Sequence, residues 1–285
     1  MSKLSNMIPL VLLDKVINFA LEEDFGIGGD LTSNATIPSS LNSSAEIVTR
    51  SKGTIAGLEV AQRVFNIIDS SLDVNLTVED GDVVESNVTV MRISGKSISI
   101  LGAERTALNF LGILSGVASE TRKLVDAIKG TNANICCTRK TIPGLRLLQK
   151  YAVKCGGGLN HRFGLGDGIL IKDNHIYASN GMENAIKSAR SICGHTQKIE
   201  VEIERLDQIL PAIQSGADII MLDNMKISDM EKAVNIINKQ AFIEASGSVN
   251  IDNVRAIAET GVDIISVGWI THSAPSLDVG LDFCI

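Results

Sequence analysis

From about Asn134 onward the chain repeats one unit: a short, mostly apolar run, a polar residue or glycine closing it, then a stretch of helix length. The runs are Ile135–Cys137 before Thr138, Ile169–Ile171 before Lys172, Ile199–Ile203, Ile219–Leu222 before Asp223, Phe242–Ala245 before Ser246 and Ile264–Val267 before Gly268. Asp223 and Ser246 stand 23 positions apart and Ser246 and Gly268 stand 22 apart, yet the intervening residues do not repeat. Strands apolar on both faces must be buried on both, which a parallel sheet covered by helices provides. The pattern predicts βα units closing into an α/β barrel. Six runs fall short of eight, so the barrel is incomplete or one or two strands escape the pattern. One connecting segment opens with Ser228-Asp229-Met230-Glu231, spaced as a helix capping box.

Before Asn134 the periodicity is mixed. Leu12, Leu13, Val16, Ile17, Ala20 and Leu21 mark one face of a helix that ends at Gly26, and Val60, Ala61, Val64, Phe65 and Ile68 mark a second after Gly57. Leu72, Val74, Leu76 and Val78 alternate as a half-buried strand does, Gly81 supplies a turn, and Val88, Val90, Ile93, Ile98 and Ile100 continue the β pattern. Helical spacing returns from Ala103 through Leu108, Leu111 and Leu114, and again through Leu124, Val125 and Ile128. An α+β domain over 1–113 is therefore expected before a catalytic barrel over 114–273, with 274–285 packing back on the first domain. Aromatic residues make up 4% of a chain that is 45% apolar, so Ile, Val, Leu and Ala must build the core.

Charge narrows the function. The chain carries a net −7, against a general nucleic-acid or anionic-membrane binder. Between Thr138 and His175, however, seven cations (Arg139, Lys140, Arg146, Lys150, Lys154, Arg162, Lys172) face two anions (Asp167, Asp173), leaving +5 there and −12 elsewhere. One basic stretch in an acidic protein points to a small anionic ligand. The five cysteines include no C-x-x-C pair, and free thiols of a reducing cytoplasm are expected. Asp14 and Lys15 end the apolar stretch Met7–Leu13, so no signal peptide is read there. The charge-free stretch Thr106–Ser119 is shorter than the ~18 residues a membrane span needs.

The polar residues that close the runs carry the chemistry. Arg139 with Lys140, Lys172, Glu202, Asp223, Ser246 with Gly247, and Gly268 all fall at or near the C-terminal ends of parallel strands, where a barrel gathers its active site. Gly247 and Gly268 follow the last two strands, the usual phosphate corner, and Ser246 and Ser248 add hydroxyls. Arg139 and Lys140 sit in a loop stopped by Pro143-Gly144, and a triple glycine, Gly156–Gly158, precedes His161 and Arg162. A guanidinium fork suits a carboxylate and an ammonium suits a phosphate. Arg146, Lys150 and Lys154 lie on the helix expected after Gly144 and are read as its solvated face. Glu202 and Asp223 either neutralise Lys140 and Lys172 or bind sugar hydroxyls and Mg²⁺. Glu200, Glu202 and Glu204 share one strand face, and alternation does not choose among them. His161 and His175 adjoin the cluster as framework or acid–base candidates, and His272 is placed to brace the loop after Gly268.

Glu104–Asn109, Thr138–Gly144, Cys155–Arg162, Ile171–His175, Glu200–Glu204, Leu222–Asn224, Glu244–Gly247 and Ser266–Gly268 together resemble the quinolinate phosphoribosyltransferase family, in family order over nearly the whole chain. The resemblance implies an N-terminal α/β sandwich plus an incomplete, seven-stranded-type α/β barrel. It implies conversion of quinolinate and phosphoribosyl pyrophosphate to nicotinate mononucleotide, pyrophosphate and CO₂, in NAD biosynthesis, with Mg²⁺. Arg139, His161 and Arg162, helped by Lys172, would hold the quinolinate carboxylates, Thr138 would be a further substrate-binding residue, and Arg105 would reach that site from the partner in a homodimer or larger assembly. Lys140 and Lys172 would meet the pyrophosphate, Glu202 and Asp223 the ribose hydroxyls and Mg²⁺ shell, and Ser246, Gly247, Ser248 and Gly268 the 5-phosphate. Lys140, Lys172, Glu202 and Asp223 would thereby form the catalytic set. The chain departs from the family pattern at Ser248, at Trp269, at Lys154 and in a longer loop at Gly28-Gly29.

Three other functions fit parts of the pattern. A related phosphoribosyltransferase, such as the molybdenum-operon paralogue, would take a different acceptor, but four cationic groups oversupply a monocarboxylate. A barrel aldolase would use Lys172 as a Schiff base, which borohydride with a sugar phosphate would trap. A non-catalytic phosphate-ligand sensor would bind without releasing pyrophosphate.

Overall fold

A computed structural model describes residue 4 and residues 6–284. The chain divides into two compact units, Met1–Arg122 with Thr141–Gly157 and Thr271–Ile285, and Lys123–Lys140 with Gly158–Ile270.

In the first unit α1 (Leu10–Phe25) and α2 (Leu31–Thr36) precede β1 (Asn42–Thr49), β2 (Gly53–Thr54), α3 (Leu58–Ile68), β3 (Asp73–Leu76), β4 (Val83–Val84), β5 (Thr89–Lys96) and α4 (Ser97–Ala127). The predicted apolar face of α3 is its buried face: Val60, Ala61, Val64 and Phe65 are wholly enclosed, each large side chain contributing about 1.5–3 kcal/mol. The helical spacing read as two stretches is one helix. α4 begins at Ser97, so Ile98 and Ile100 belong to it and not to a strand. It runs unbroken through Gly112, whose carbonyl accepts the Leu277 N–H at 2.9 Å, so packing of the C-terminal tail outweighs weak helix propensity there. That tail forms β12 (Val279–Phe283), which pairs antiparallel with β1 in a sheet ordered β12-β1-β5-β3.

β6 (Asn134–Cys136) opens the second unit. The helix after it, α5 (Arg146–Cys155), counts with the first unit, where the Tyr151 hydroxyl donates to Asp80 Oδ2 at 2.7 Å. Asp80 also accepts from the Gly57 and Leu58 N–H groups at the start of α3, and burial pushes its carboxyl up. Lys150 is completely buried in this helix, which corrects its reading as a solvated residue. A cation this deep keeps its aliphatic stem in the core and its ammonium on a polar partner.

The second unit continues with β7 (Ile169–Ile171), α6 (Asp173–Ala178), α7 (Met182–Ile192), β8 (Ile199–Ile203), α8 (Ile209–Gln214), β9 (Ile219–Asp223), α9 (Ile227–Ile237), β10 (Phe242–Ser246), α10 (Val254–Glu259) and β11 (Ile264–Ser266), and α11 (Trp269–His272) follows. The strands are all parallel, in the order β6-β11-β10-β9-β8-β7. This is the incomplete α/β barrel. Its seventh member is reduced to a single parallel bridge, Leu159 to Cys136, on the free side of β6. The capping box does not form: α9 begins at Ile227, ahead of Ser228, and the Lys226 carbonyl takes the first N–H groups at 2.9 Å.

Candidate active site

Parallel strands lay the run-closing residues along one rim of the second unit. Asp223 ends β9 in register with Ser246 of β10, and Ser246 is in register with Ser266 of β11. Lys172 follows β7 directly, and Thr138, Arg139 and Lys140 follow β6. β8 settles the alternation among its three acids. Glu200 is buried, Glu202 is partly covered, and Glu204 stands beyond the strand, exposed, its N–H donating to Gln208. Lys172 Nζ pairs with Glu202 Oε2, across the β7–β8 neighbours. His175 takes a framework role, its Nδ1 accepting the Lys172 N–H at 3.0 Å.

The break in the ladder between Leu159 and β7 is spanned by side chains. His161 Nε2 lies 3.0 Å from Glu200 Oε2, and Arg162 Nη1 donates to the Gly168 carbonyl just ahead of β7 at 2.8 Å. Arg162 loses proton affinity first to burial and then to the neighbouring charge of Arg139, with Glu200 and Asp167 opposing. Two guanidinium groups thus share one place on the rim, an arrangement suited to a dianion. Asp167 organises the loop between them and β7, accepting from the Phe163 and Gly164 N–H groups at 2.6 and 2.9 Å.

The opposite part of the rim is built by tight turns. Gly247 has φ +101°, and a side chain there would run into the Asn224 amide. The Asn224 N–H donates to the Ser246 carbonyl and its Nδ2 donates to Asp223 Oδ2, both at 2.8 Å. Ser248 keeps a left-handed φ of +50°, which a serine tolerates at some cost, and its carbonyl accepts from Asn253 Nδ2 at 3.0 Å. The brace for this corner is Trp269, whose Nε1–H donates to the Val249 carbonyl at 2.8 Å. His272, the expected brace, is exposed, with its Nδ1 2.6 Å from Ser273 Oγ. Lys140 N–H donates to Thr138 Oγ1 at 3.0 Å, and Gly268 lies against the Lys140 side chain. Arg105 stands exposed on α4 in the first unit.

Two acids of this region escaped the sequence reading. Glu200 was one of three equivalent choices, and Glu244, inside Phe242–Ala245, was given no role of its own. Both are about 4% exposed, and burial together with the Glu200 charge pushes the Glu244 carboxyl up to about 7. The available signal was a charged residue in the middle of a strand with no exposed face. Among the described residues, His161, Glu200 and Glu244 form the one cluster of three metal-capable groups, with donor atoms within 4.8 Å of one another; Glu202 and Asp223 are not part of it.

Comparison with known proteins bears on this rim. The family model for the quinolinate phosphoribosyl transferase C-terminal domain matches residues 117–282, and that for the N-terminal domain matches 30–115. The chain is 42% identical to a probable carboxylating nicotinate-nucleotide pyrophosphorylase of Bacillus subtilis, over 95% of this chain and 93% of that one. It is 40% identical to a carboxylating nicotinate-nucleotide pyrophosphorylase of Mycobacterium leprae, over 93% and 95%. Its structure is similar to that of a nicotinate-nucleotide pyrophosphorylase from Francisella tularensis, with a TM-score of 0.91 at 38% identity, covering 97% and 98% of the two chains.

Proposed function

The chain belongs to the quinolinate phosphoribosyltransferase family, and we propose that the rim of its parallel sheet is where quinolinate and phosphoribosyl pyrophosphate meet. The enzyme transfers the phosphoribosyl group to quinolinate, giving nicotinate mononucleotide, pyrophosphate and CO₂, a step of NAD biosynthesis. The observation that carries the assignment of the rim is the closeness of Arg139 and Arg162 beside the Leu159 seam, two guanidinium forks whose number and geometry suit a dicarboxylate. Thr138, Arg139, Arg162 and Lys172 form the quinolinate side. Lys140 with Lys172 faces pyrophosphate, Glu202 and Asp223 the ribose hydroxyls, and Ser246, Gly247, Ser248 and Gly268 the 5-phosphate.

Two highly anionic reactants do not approach each other unaided. Holding the pyridine nitrogen at attack distance from the anomeric carbon is worth up to about 7–11 kcal/mol. As the bond to pyrophosphate breaks, positive charge grows on the ribose, with Glu202 and Asp223 beside it, while Lys140 and Lys172 follow the departing anion. Nitrogen alkylation makes the ring an electron sink, so the 2-carboxylate leaves as CO₂, the bonding pair stays at C2 and takes up a proton from solvent, and no covalent enzyme intermediate is needed. Glu202 and Asp223 offer only oxygen donors, at neighbouring strand ends, which suits a Mg²⁺ that keeps waters and substrate phosphates as its other ligands. Bound there, Mg²⁺ would offset charge on the pyrophosphate.

A homodimer or larger assembly, with Arg105 serving the partner's site, is supported by the exposure of Arg105 on α4. The division at 113/114 is supported by the family models, which meet between 115 and 117. A reducing, cytoplasmic setting is supported by five cysteines that form no disulfide, and no helix among the described residues is long and apolar enough to cross a membrane.

The direct experiment supplies enzyme, Mg²⁺, phosphoribosyl pyrophosphate and either quinolinate or nicotinate, and assays CO₂ and nicotinate mononucleotide. Product from quinolinate alone is expected. Turnover of nicotinate without quinolinate would point to the related acceptor class, and binding without pyrophosphate release to a sensor.

Two further expectations concern the phosphate corner. Trp269 is the only tryptophan of the chain and is bonded to that loop, so phosphoribosyl pyrophosphate should change its emission while quinolinate should not. Trp269→Phe should raise the KM for the phosphoribosyl donor about 3- to 10-fold, the worth of one neutral hydrogen bond. Silent emission across the donor titration would remove the corner from that role. Gly247→Ala combines a positive φ with a contact against Asn224, and about 1–3 kcal/mol of stability should be lost, read as a lower melting midpoint with a raised donor KM. An unchanged midpoint and KM would show that the loop relaxes freely.

A further inference from the structure

His161 stands among the cations of the rim, yet both of its ring nitrogens are turned to the protein. Nδ1 accepts the backbone N–H of Arg162 at 2.8 Å. A ring nitrogen that accepts an N–H carries no proton, so the imidazole proton sits on Nε2. Nε2 in turn lies 3.0 Å from Glu200 Oε2 and 3.7 Å from Glu244 Oε1. The His161 side chain is 14% exposed, and those of the two acids 5% each. Neither nitrogen is left for a ligand oxygen. The geometry also joins this ring to the guanidinium pair: the residue whose N–H it holds is Arg162, and the Glu200 charge offsets part of the effect of Arg139 on Arg162.

We propose that His161 and Glu200 are positioning residues that do not touch the substrate: Glu200 fixes the Nε2–H form of His161, and His161 Nδ1 fixes the backbone that aims Arg162 at a substrate carboxylate. The proposal rests on the reading that Arg139 and Arg162 receive the dicarboxylate. The chain of contacts spans the one place where the strand ladder is open, between the Leu159 bridge and β7. Elsewhere on the rim backbone ladders hold neighbouring strands in register; here a His–Glu hydrogen bond takes over part of that task. Glu244, on β10, also faces the ring, its Oε1 3.7 Å from His161 Nε2.

The test is a double-mutant cycle read on quinolinate binding to the donor-free enzyme by calorimetry, with steady-state kinetics alongside. Glu200→Leu and His161→Phe are each expected to raise the quinolinate Kd about 10- to 100-fold, the usual loss on breaking a buried hydrogen bond to a charged group. The donor KM and saturated kcat should move less than about 3-fold. The double variant should bind no more weakly than the worse single one, because the two act in series. Additive losses would overturn the proposal, since they would make His161 a ligand in its own right. Should either variant fail to fold, ¹⁵N-histidine spectra of the intact enzyme decide independently. The expected His161 signature, assigned among four histidines, is an unprotonated Nδ1 and a protonated Nε2, unchanged at saturating quinolinate. An imidazolium, an Nδ1–H ring, or a ring whose Nε2 releases its proton to solvent when a divalent cation is added would overturn it. Loss of quinolinate binding in Arg162→Ala separates the two readings: if that variant binds normally, the carboxylate pocket itself is misplaced, whereas an effect there with none in Glu200→Leu rejects only the strut.

Discussion

Arg139→Ala is expected to raise the KM for quinolinate by about 30- to 1000-fold, as truncating one partner of a buried charge pair does, while the KM for phosphoribosyl pyrophosphate changes by less than about 3-fold. The same variant should melt no lower than the parent enzyme when ligand-free. These two outcomes belong together. Arg162 already has its proton affinity lowered by burial and by Arg139, with Glu200 and Asp167 opposing, so Arg139 adds a repulsive contribution that an arriving anion offsets further. Removing Arg139 relieves that repulsion and takes away half of the fork-shaped recognition, so stability and binding should move in opposite senses. Calorimetry with quinolinate and a melting curve on the same preparation check both. Near-parental quinolinate kinetics would refute the pocket. A lower melting point with lost binding would instead make Arg139 a structural residue.

Much of this rim was legible because chemistry in a parallel sheet gathers where strands end. The positions of Lys172, Asp223, Ser246 and Gly268 follow from where apolar runs stop, and the register of β9, β10 and β11 turns that order into adjacency. What stayed hidden depends on depth. Alternation along β8 places Glu200 and Glu202 on one face but says nothing of which lies under the rim, and Glu244 reads as an interruption in an apolar run. Lys150 shows the same limit from the other side. Its charge suggested a solvated helix face, whereas α5 packs with the first unit and encloses it. The weak seventh strand is a further case: one bridging residue at Leu159 has no periodicity to detect. α4 shows its apolar spacing as two stretches, and the tail that hydrogen-bonds to Gly112 packs where the helix runs on between them.

Asp223→Ala should do to the donor what Arg139→Ala does to the acceptor. Asp223 closes β9 in register with Ser246, and Asn224 Nδ2 holds its Oδ2 at 2.8 Å, so its remaining oxygen is presented at the rim from a fixed carboxylate. A carboxylate in that place serves two ribose hydroxyls or shares Mg²⁺ with Glu202, and alanine serves neither. The expected rise in the KM for phosphoribosyl pyrophosphate is about 30-fold or more, from loss of charge-assisted hydrogen bonds of about 1.5–3 kcal/mol. Quinolinate binding to the donor-free enzyme should stay within about 3-fold. Asp223→Asn separates the two uses of the oxygen. An amide still accepts from a hydroxyl but is a poor partner for Mg²⁺, so if the metal matters most, Asn should resemble Ala and both should need more Mg²⁺ for half-maximal rate. If hydroxyl binding dominates, Asn should recover most of the donor affinity without any shift in Mg²⁺ demand. Equal damage to both substrates would mean that the rim is not divided at all: Asp223 would then be shaping the Arg139–Arg162 side through the sheet, and the donor would have to be placed elsewhere.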